Sequence, residues 1–200
     1  MGLDLTPSAV KELASLAKQN PILRIYTMTG DSPYNVEALL KAEGLSEVYR
    51  LDGMMLGTQP TITPAPIQLA QGHIRQTTVK FIIDSFFWSS PRGMRSSLGA
   101  VLASVSDESE FYVWQDELGI LAASTLVTTD DCIGIYNLCV RNEDRGRGCG
   151  SHFVSAISEL IKSRGAQGVL QCAPNLSPWY VRLGFHKVAE SSALASIPST

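Results

Sequence analysis

Charge is sparse in this chain. Only 18% of its 200 residues are Asp, Glu, Lys or Arg, and 16 cations against 19 anions leave a net charge of −3. With a pI near 5.6, no face is expected to gather the cation excess that broad nucleic-acid binding needs, although a local basic pocket for a small anion stays open. Cysteine is scarce too: Cys132, Cys139, Cys149 and Cys172 stand singly, with no Cys-x-x-Cys pair and no histidine at metal-ligand spacing. Zinc is therefore unsupported, no metal is expected, and the thiols read as reduced and mostly buried. His73, His152 and His186 are scattered and join no nucleophile arrangement. Also missing is any uncharged apolar run near the ~20 residues that a bilayer crossing needs. Met1 to Lys18 lacks the basic start, apolar block and cleavage site of a leader. These absences lead to an expectation of a cytoplasmic soluble protein with no nucleic-acid and no membrane partner.

What is present is enough to build a core. Apolar residues make up 44% of a 21.6 kDa chain, room for one large domain or two small ones at ~150 residues each. Ser8 to Lys18 sets Val10, Leu13, Ala14 and Ala17 on one helical stripe that Asn20-Pro21 stops. A strand is expected over Leu23 to Met28, a turn at Thr29 to Pro33, a helix over Val36 to Lys41 ended by Gly44, and a strand over Glu47 to Leu56. Prolines and threonines from Gly57 to Pro66 break all periodicity. We therefore expect an amino-terminal segment 1–57, a connector 58–66 and a main domain 67–200. In the latter, helices are expected over Thr77 to Phe87 and Met94 to Ser104. An antiparallel meander should follow over Phe111 to Gln115, Gly119 to Thr128 and Cys132 to Val140. Ser151 to Arg164 is an amphipathic helix with Gly165 placed to cap it. A strand over Gly168 to Ala173, a short helix over Ser177 to Arg182 and a last strand over Phe185 to Glu190 precede a small-residue tail. Ser8 to Leu13 echoes Ser155 to Leu160, and in both places strand, short helix and strand follow; shared helix grammar and a degenerate half-copy both stay open.

The stretch that carries chemistry is Arg145-Gly146-Arg147-Gly148-Cys149-Gly150-Ser151, lying between a strand and a helix start. First-turn N–H groups there have no intrahelical acceptor and the dipole end is positive, so the loop suits an anion. Glycines let a ligand approach the backbone. A Walker loop would need a lysine, and a dinucleotide fingerprint a glycine where Ser151 stands. What fits is Arg-x-x-Gly-x-Gly at Arg145, Gly148 and Gly150. With Gly134 to Val140 before it, and Asn175 and Tyr180-Val181-Arg182-Leu183-Gly184-Phe185 after it, the chain resembles the GNAT superfamily of acetyl-CoA-dependent acyltransferases. The resemblance covers Thr77 to Glu190. The interval from Asn175 to Tyr180 is shorter than in many relatives, and Met1 to Gly57 does not look like the family's usual beginning. The first strand of the catalytic unit is sought in Val48 to Leu56 or Ile67 to Leu69.

The resemblance implies an α/β fold in which a twisted, largely antiparallel mixed sheet, flanked by helices, carries a splayed parallel pair at the CoA site. It implies acetyl-CoA as cosubstrate. The diphosphate would rest on the loop Arg145, Gly146, Arg147, Gly148, Cys149, Gly150 and Ser151, and pantetheine would run along Leu138, Cys139 and Val140, with Asn175 as a further contact. A backbone N–H on that strand would polarise the thioester carbonyl, and Tyr180 would be the general acid. A phenol at ~10 is uphill of a thiol at ~8.5 by about 2 kcal/mol, so its assistance would be late and partial. The implied acceptor is a primary amine on a small molecule or peptide; a homodimer is left open. A lysine-like amine is neutral in roughly one molecule in 10³ at pH 7, and Glu108, Glu110, Asp116 or water are the bases left to consider. Phe86, Phe87 and Trp88 are read as core first and as acceptor-pocket walls second. Arg145 and Arg147 could instead be solvated beside Glu143 and Asp144, and Tyr180 and Trp179 core aromatics. The alternatives to an enzyme are a CoA-binding sensor without turnover and an interaction domain whose glycine loop is only a tight turn.

Overall fold

The computed structural model describes residues 6–20, 23–28, 35–58, 60–87, 90–104 and 109–196. In chain order the elements are α1 (Pro7–Gln19), β1 (Ile25–Met28), α2 (Val36–Ala42), β2 (Ser46–Leu56), β3 (Gln68–Leu69), α3 (Gly72–Phe86) and α4 (Arg92–Ser104). Then come β4 (Ser109–Asp116), β5 (Gly119–Thr129), β6 (Cys132–Val140), α5 (Cys149–Ser163), β7 (Gln167–Cys172), α6 (Ser177–Arg182) and β8 (Phe185–Ala195). The expected turn at Thr29 to Pro33 lies outside the described residues, as do Trp88 and Glu108.

The chain divides into two compact units. The first takes Met1–Met54, Cys172–Pro178 and Lys187–Thr200. Its strands run in the order β1-β8-β2. The helical stripe of α1 supplies Val10, Ala14 and Ala17 to a small core shared with Leu40, Leu45 and Leu194. Thr6 caps α1 by accepting the Ala9 amide, and Asn35 caps α2 by accepting that of Ala38. Here the sequence expectation fails at one point. The small-residue tail is a strand: Ser191, Ser192, Ala193 and Leu194 pair antiparallel with Met28 to Ile25, and their small side chains suit a strand buried on both faces. The order helix, strand, short helix, strand occurs twice in the chain, and Gly44 (φ +87°) and Gly184 (φ +89°) each end the short helix in the left-handed region.

The second unit, Met55–Gln171 and Trp179–His186, carries the strands β7-β6-β5-β4-β3 in that order. β3 to β6 are antiparallel neighbours, while β6 and β7 are parallel. The short strand at Ile67 to Leu69 therefore takes an edge place, pairing Gln68 with Val113 and Leu69 with Tyr112. One face packs Val79, Ile82 and Ile83 of α3 on Phe111, Val113, Ile120 and Ala123. Helix α3 begins at Gly72, five residues before the expected start at Thr77, with Gln71 in extended conformation ahead of it. Phe87 packs against this core, whereas Phe86, expected inside, is 47% exposed. Phe153, Val154, Ile157 and Ile161 of α5 are buried. Its end follows the expected pattern, with Gly165 at φ +68° and the Ala166 amide reaching back to the Ile161 carbonyl. Between Gly57 and Ile67 there is no helix or strand among the described residues. The segment is nonetheless pinned: Ala65 N–H donates to the His152 carbonyl at 3.0 Å and Gly57 N–H to that of Gly184 at 2.9 Å.

Candidate active site

The site begins with a failure of strand pairing. The parallel ladder joins Cys132 to Gln167, Ile133 to Gly168, Gly134 to Val169 and Ile135 to Leu170 and stops there, although β6 continues to Val140 and β7 to Cys172. The cause lies on the other side of β6. Ala123 pairs with Cys139 and Thr125 with Tyr136, so Asn137 and Leu138 together oppose Ser124 in a β-bulge. Asn137 absorbs the extra residue at φ +53°, a conformation that asparagine tolerates better than most residues. Its amide reaches Thr125 Oγ1 at 3.4 Å, and Ser124 Oγ donates to the Tyr136 carbonyl at 3.1 Å. Beyond the bulge, the edge of β6 that carries Leu138, Cys139 and Val140 has backbone groups left for another strand-like partner.

The glycine loop stands at the end of that edge. Gly146 and Gly148 are left-handed, at φ +77° and +86°. A Cβ at Gly146 would meet nothing within 4 Å, so the space before the loop is open. Gly148 is the N-cap of α5, with no side-chain cap. The amides of Ser151 and His152 turn back to its carbonyl at 2.9 and 3.2 Å, leaving those ahead of them without intrahelical acceptors. Gly150 serves a different end. A Cβ there would lie 3.3 Å from the Trp179 ring and 3.6 Å from Val140, so its lack of a side chain lets α5 close on β6 and α6.

The side chains knit these parts together. Arg145 Nε donates to the Val140 carbonyl at 3.0 Å, latching the loop to the strand end. Arg147 is exposed and reaches Asp144 at 3.4 Å. Trp179 Nε1 donates to Ser151 Oγ at 3.3 Å. Tyr180 is buried, with its ring edge-on to Trp179 and Phe185 at centroid distances of 4.6 and 5.6 Å. Thus Val140, Arg145, Gly150, Ser151, Trp179 and Tyr180 form one continuous contact chain. Asn175 is exposed in the turn before α6 and belongs to the first compact unit.

Cys139 is inert here: burial pushes its thiol up to about 12, against the smaller pulls of Ser85 and Arg145. Two of the carboxylates considered as bases are held by arginines. Arg164 takes Glu110 at 2.5 Å. Arg141 takes Asp116 at 2.5 Å and, by that hydrogen bond first of all, holds its carboxyl below the usual range. Between α3 and α4 lies a cavity of about 340 Å³ lined by Gln76, Lys80, Asp84, Arg92, Arg95 and Ser96. Phe86 and Phe87, the pocket walls considered from sequence, do not line it. Among the described residues no group of His, Cys, Asp and Glu could hold a metal ion, and no helix is long and apolar enough to cross a membrane.

Sequence reasoning missed Asn137 and the strapping of α5 by the connector. The first left a trace: a lone asparagine inside the apolar run Ile133 to Val140.

Residues 107–187 match the family model described as the acetyltransferase (GNAT) domain. That stretch of the chain is similar to a GNAT acetyltransferase domain. Solved structures agree in fold. A GCN5-related N-acetyltransferase from Kribbella flavida superposes with a TM-score of 0.68 at 15% identity, over 98% of this chain and 77% of that one. A GNAT-family acetyltransferase from Colwellia psychrerythraea gives 0.67 at 14%, over 92% and 71%. A putative GNAT-family acetyltransferase from Novosphingobium aromaticivorans gives 0.59 at 18%, over 98% and 82%. No curated protein sequence matches. Acetyl transfer is the chemistry of this family, and acetyl-CoA is the cosubstrate that it implies. The open space before Gly146 and the unladdered end of β6 fit such a ligand.

Proposed function

We propose that the chain transfers acetyl from acetyl-CoA to a primary amine of a small molecule or peptide, by direct attack in a ternary complex. The observation that carries this reading is the end of the β6–β7 ladder at Ile135 and Leu170, in the same unit as the open amides at Gly148. The loop from Arg147 to Ser151 holds the diphosphate, chiefly through the amides ahead of Ser151, with the dipole of α5 behind them. The edge of Leu138 to Val140, apart from the Val140 carbonyl that Arg145 takes, pairs with the pantetheine amides. When bound, the cosubstrate supplies an activated acetyl thioester. The amine nitrogen bonds to the carbonyl carbon as the C–S bond breaks; a main-chain N–H of the β6 edge draws on the carbonyl oxygen, Tyr180 delivers a proton to the departing sulfur, and water carries off the proton the amine sheds and restores the phenol.

The acceptor enters beside α3 and α4, whose cavity carries Lys80, Arg92 and Arg95 against Asp84 alone. Asp84 already pairs with Lys80 at 2.6 Å and Arg95 at 3.6 Å, and Arg95 Nε is buried without a partner. That surplus favours an amine carried on an acidic molecule over a polyamine. For chain organisation, the repeated order of helix, strand, short helix and strand supports residues 1–57 as a degenerate half-copy ahead of a 67–200 catalytic domain. The test is a stability titration with CoA and acetyl-CoA, followed by thiol release with an amine panel. Coenzyme binding with no thiol release above background would leave a sensor, and no thermal shift would leave only a tight turn.

A further inference from the structure

We propose that His152 is a binding residue for the diphosphate, and that coenzyme binding takes up a proton on its imidazole. The inference rests on the CoA reading above and adds a side chain to it. His152 Nδ1 lies 2.6 Å from the Thr63 carbonyl. A carbonyl oxygen only accepts, so Nδ1 carries the hydrogen and, in a neutral ring, Nε2 does not. The ring cannot turn away from this bond easily, because the connector is fixed on both sides of it. Ser155 Oγ donates to the Ile62 carbonyl at 2.9 Å, and Ala65 N–H donates to the His152 carbonyl at 3.0 Å. Held from behind by Nδ1, the ring turns its other edge to the loop. Cδ2 and Nε2 each lie 3.9 Å from where a Cβ on Gly148 would stand.

That geometry makes the charge state matter. A neutral ring offers an anion only the lone pair of Nε2, which repels it, whereas an imidazolium offers a charge-assisted N–H. A phosphate oxygen at the N-cap therefore favours the charged ring, and by linkage the charged ring favours the phosphate. The other charged groups around this edge are Asp144, Arg145 and Arg147 of the loop. Asp144 is taken by Arg141 at 2.6 Å and Arg147 at 3.4 Å, and Arg145 is latched to Val140. Residues 57–66 of the connector contain no ionisable side chain, and α6 presents Trp179 to this helix start. The imidazole is the one side chain of this set of the type that changes charge between about pH 5 and 8.

The experiment is calorimetry of the full chain with dephospho-CoA, at about pH 6 and pH 8.5 and, at an intermediate pH, in two buffers of different ionisation enthalpy. This ligand keeps the diphosphate and lacks the phosphomonoester that itself titrates near pH ~6. The expected result is binding roughly tenfold tighter at the lower pH, with net proton uptake. His152→Asn sets an amide N–H where Nδ1 stands, keeping the bond to Thr63 and removing Nε2. It should bind equally at both pH values, with the wild-type affinity of pH 8.5 and no proton uptake. His152→Gln, which sets its amide where Nε2 stands, should likewise lose the pH dependence, and it decides the matter should the asparagine variant fail to fold. Wild-type affinity that is independent of pH with no proton uptake overturns the proposal, as does either variant that binds and keeps both effects. Absence of binding to wild type at every pH overturns the CoA reading itself, and the proposal with it.

Discussion

Gly148 is where a single methyl group separates the proposed cradle from a mere turn. The residue sits at φ +86°, ψ −10° as the N-cap of α5. An alanine forced into this region costs about 1–2 kcal/mol. Because the nearest atoms to a new Cβ are 3.9 Å away on His152, that backbone strain is the whole structural cost. In a protein of this size it corresponds to a fall of roughly 2–8 °C in Tm. Gly119 is a matched control: its φ is +108° and a Cβ there would meet nothing within 4 Å, but it lies at the start of β5. Gly119→Ala and Gly148→Ala should therefore lose similar stability without ligand. With CoA at 100 times the wild-type Kd, wild type and Gly119→Ala should each gain about 2.7 kcal/mol, roughly 5–11 °C. In Gly148→Ala the methyl group intrudes among the phosphate-binding amides. A tenfold weaker Kd halves the gain at the same CoA concentration to about 1.4 kcal/mol. Differential scanning fluorimetry of the three proteins across a CoA series reads both quantities. A full coenzyme shift in Gly148→Ala would refute the placement of the diphosphate.

Tyr180→Phe keeps the ring between Trp179 and Phe185 and so should leave stability within about 1 kcal/mol, while kcat falls by roughly 10–100-fold with CoA affinity unchanged. Equal turnover in stopped or continuous thiol-release assays would remove Tyr180 as the acid. Thiol labelling at pH 8 should spare Cys139, whose thiol at about 12 is ionised in only about one molecule in 10⁴; Cys172, pushed up to about 11 by burial, should also be slow. Mass spectrometry after brief alkylation should find label on Cys132 and Cys149 first. In the first unit Glu47 is held at about 2, chiefly by its hydrogen bonds to Arg50 and Lys41. A lowered carboxylate stabilises the fold above its unfolded value and loses that contribution as pH falls through the folded one. Acid titration should thus show Glu47→Gln losing less stability than wild type between about pH 4.5 and 2. Arg95→Gln should raise KM for an acidic amine acceptor more than for spermidine, and equal change for both would sink the anionic-acceptor reading.

Most of the fold could be read from local pattern. The stripes of α1 and α5, the meander of β4 to β6 and the short helix before Gly184 need only periodicity and turn chemistry. The Arg145 to Ser151 loop was likewise legible as a glycine-rich turn into a helix start, since helix-start amides and glycines are local properties. What escaped depends on partners distant in sequence. Ser191 to Ala195 look like a tail because small residues carry no strand signal of their own; they form a strand because Ile25 to Met28 lie alongside. Gly150 read as a ligand-approach glycine, and its tight packing on Trp179 is visible only once α6 has folded back. The bulge at Asn137 requires knowing that Ser124 lies opposite, and the hydrogen bond of the His152 ring requires knowing that Thr63 passes behind it.

The connector's attachment bears on how the protein can be divided. The stretch that carries the family signature, 107–187, would be the natural piece to excise, yet it omits Ile62, Thr63 and Ala65. Those residues satisfy the Ser155 hydroxyl, the His152 ring and the His152 carbonyl along the opening turns of α5. An excised piece would expose polar atoms on the very helix that must stay rigid, and lose edge strand and helical cover besides. The smallest portion worth expressing alone therefore starts upstream of Gly57, well before the family match begins.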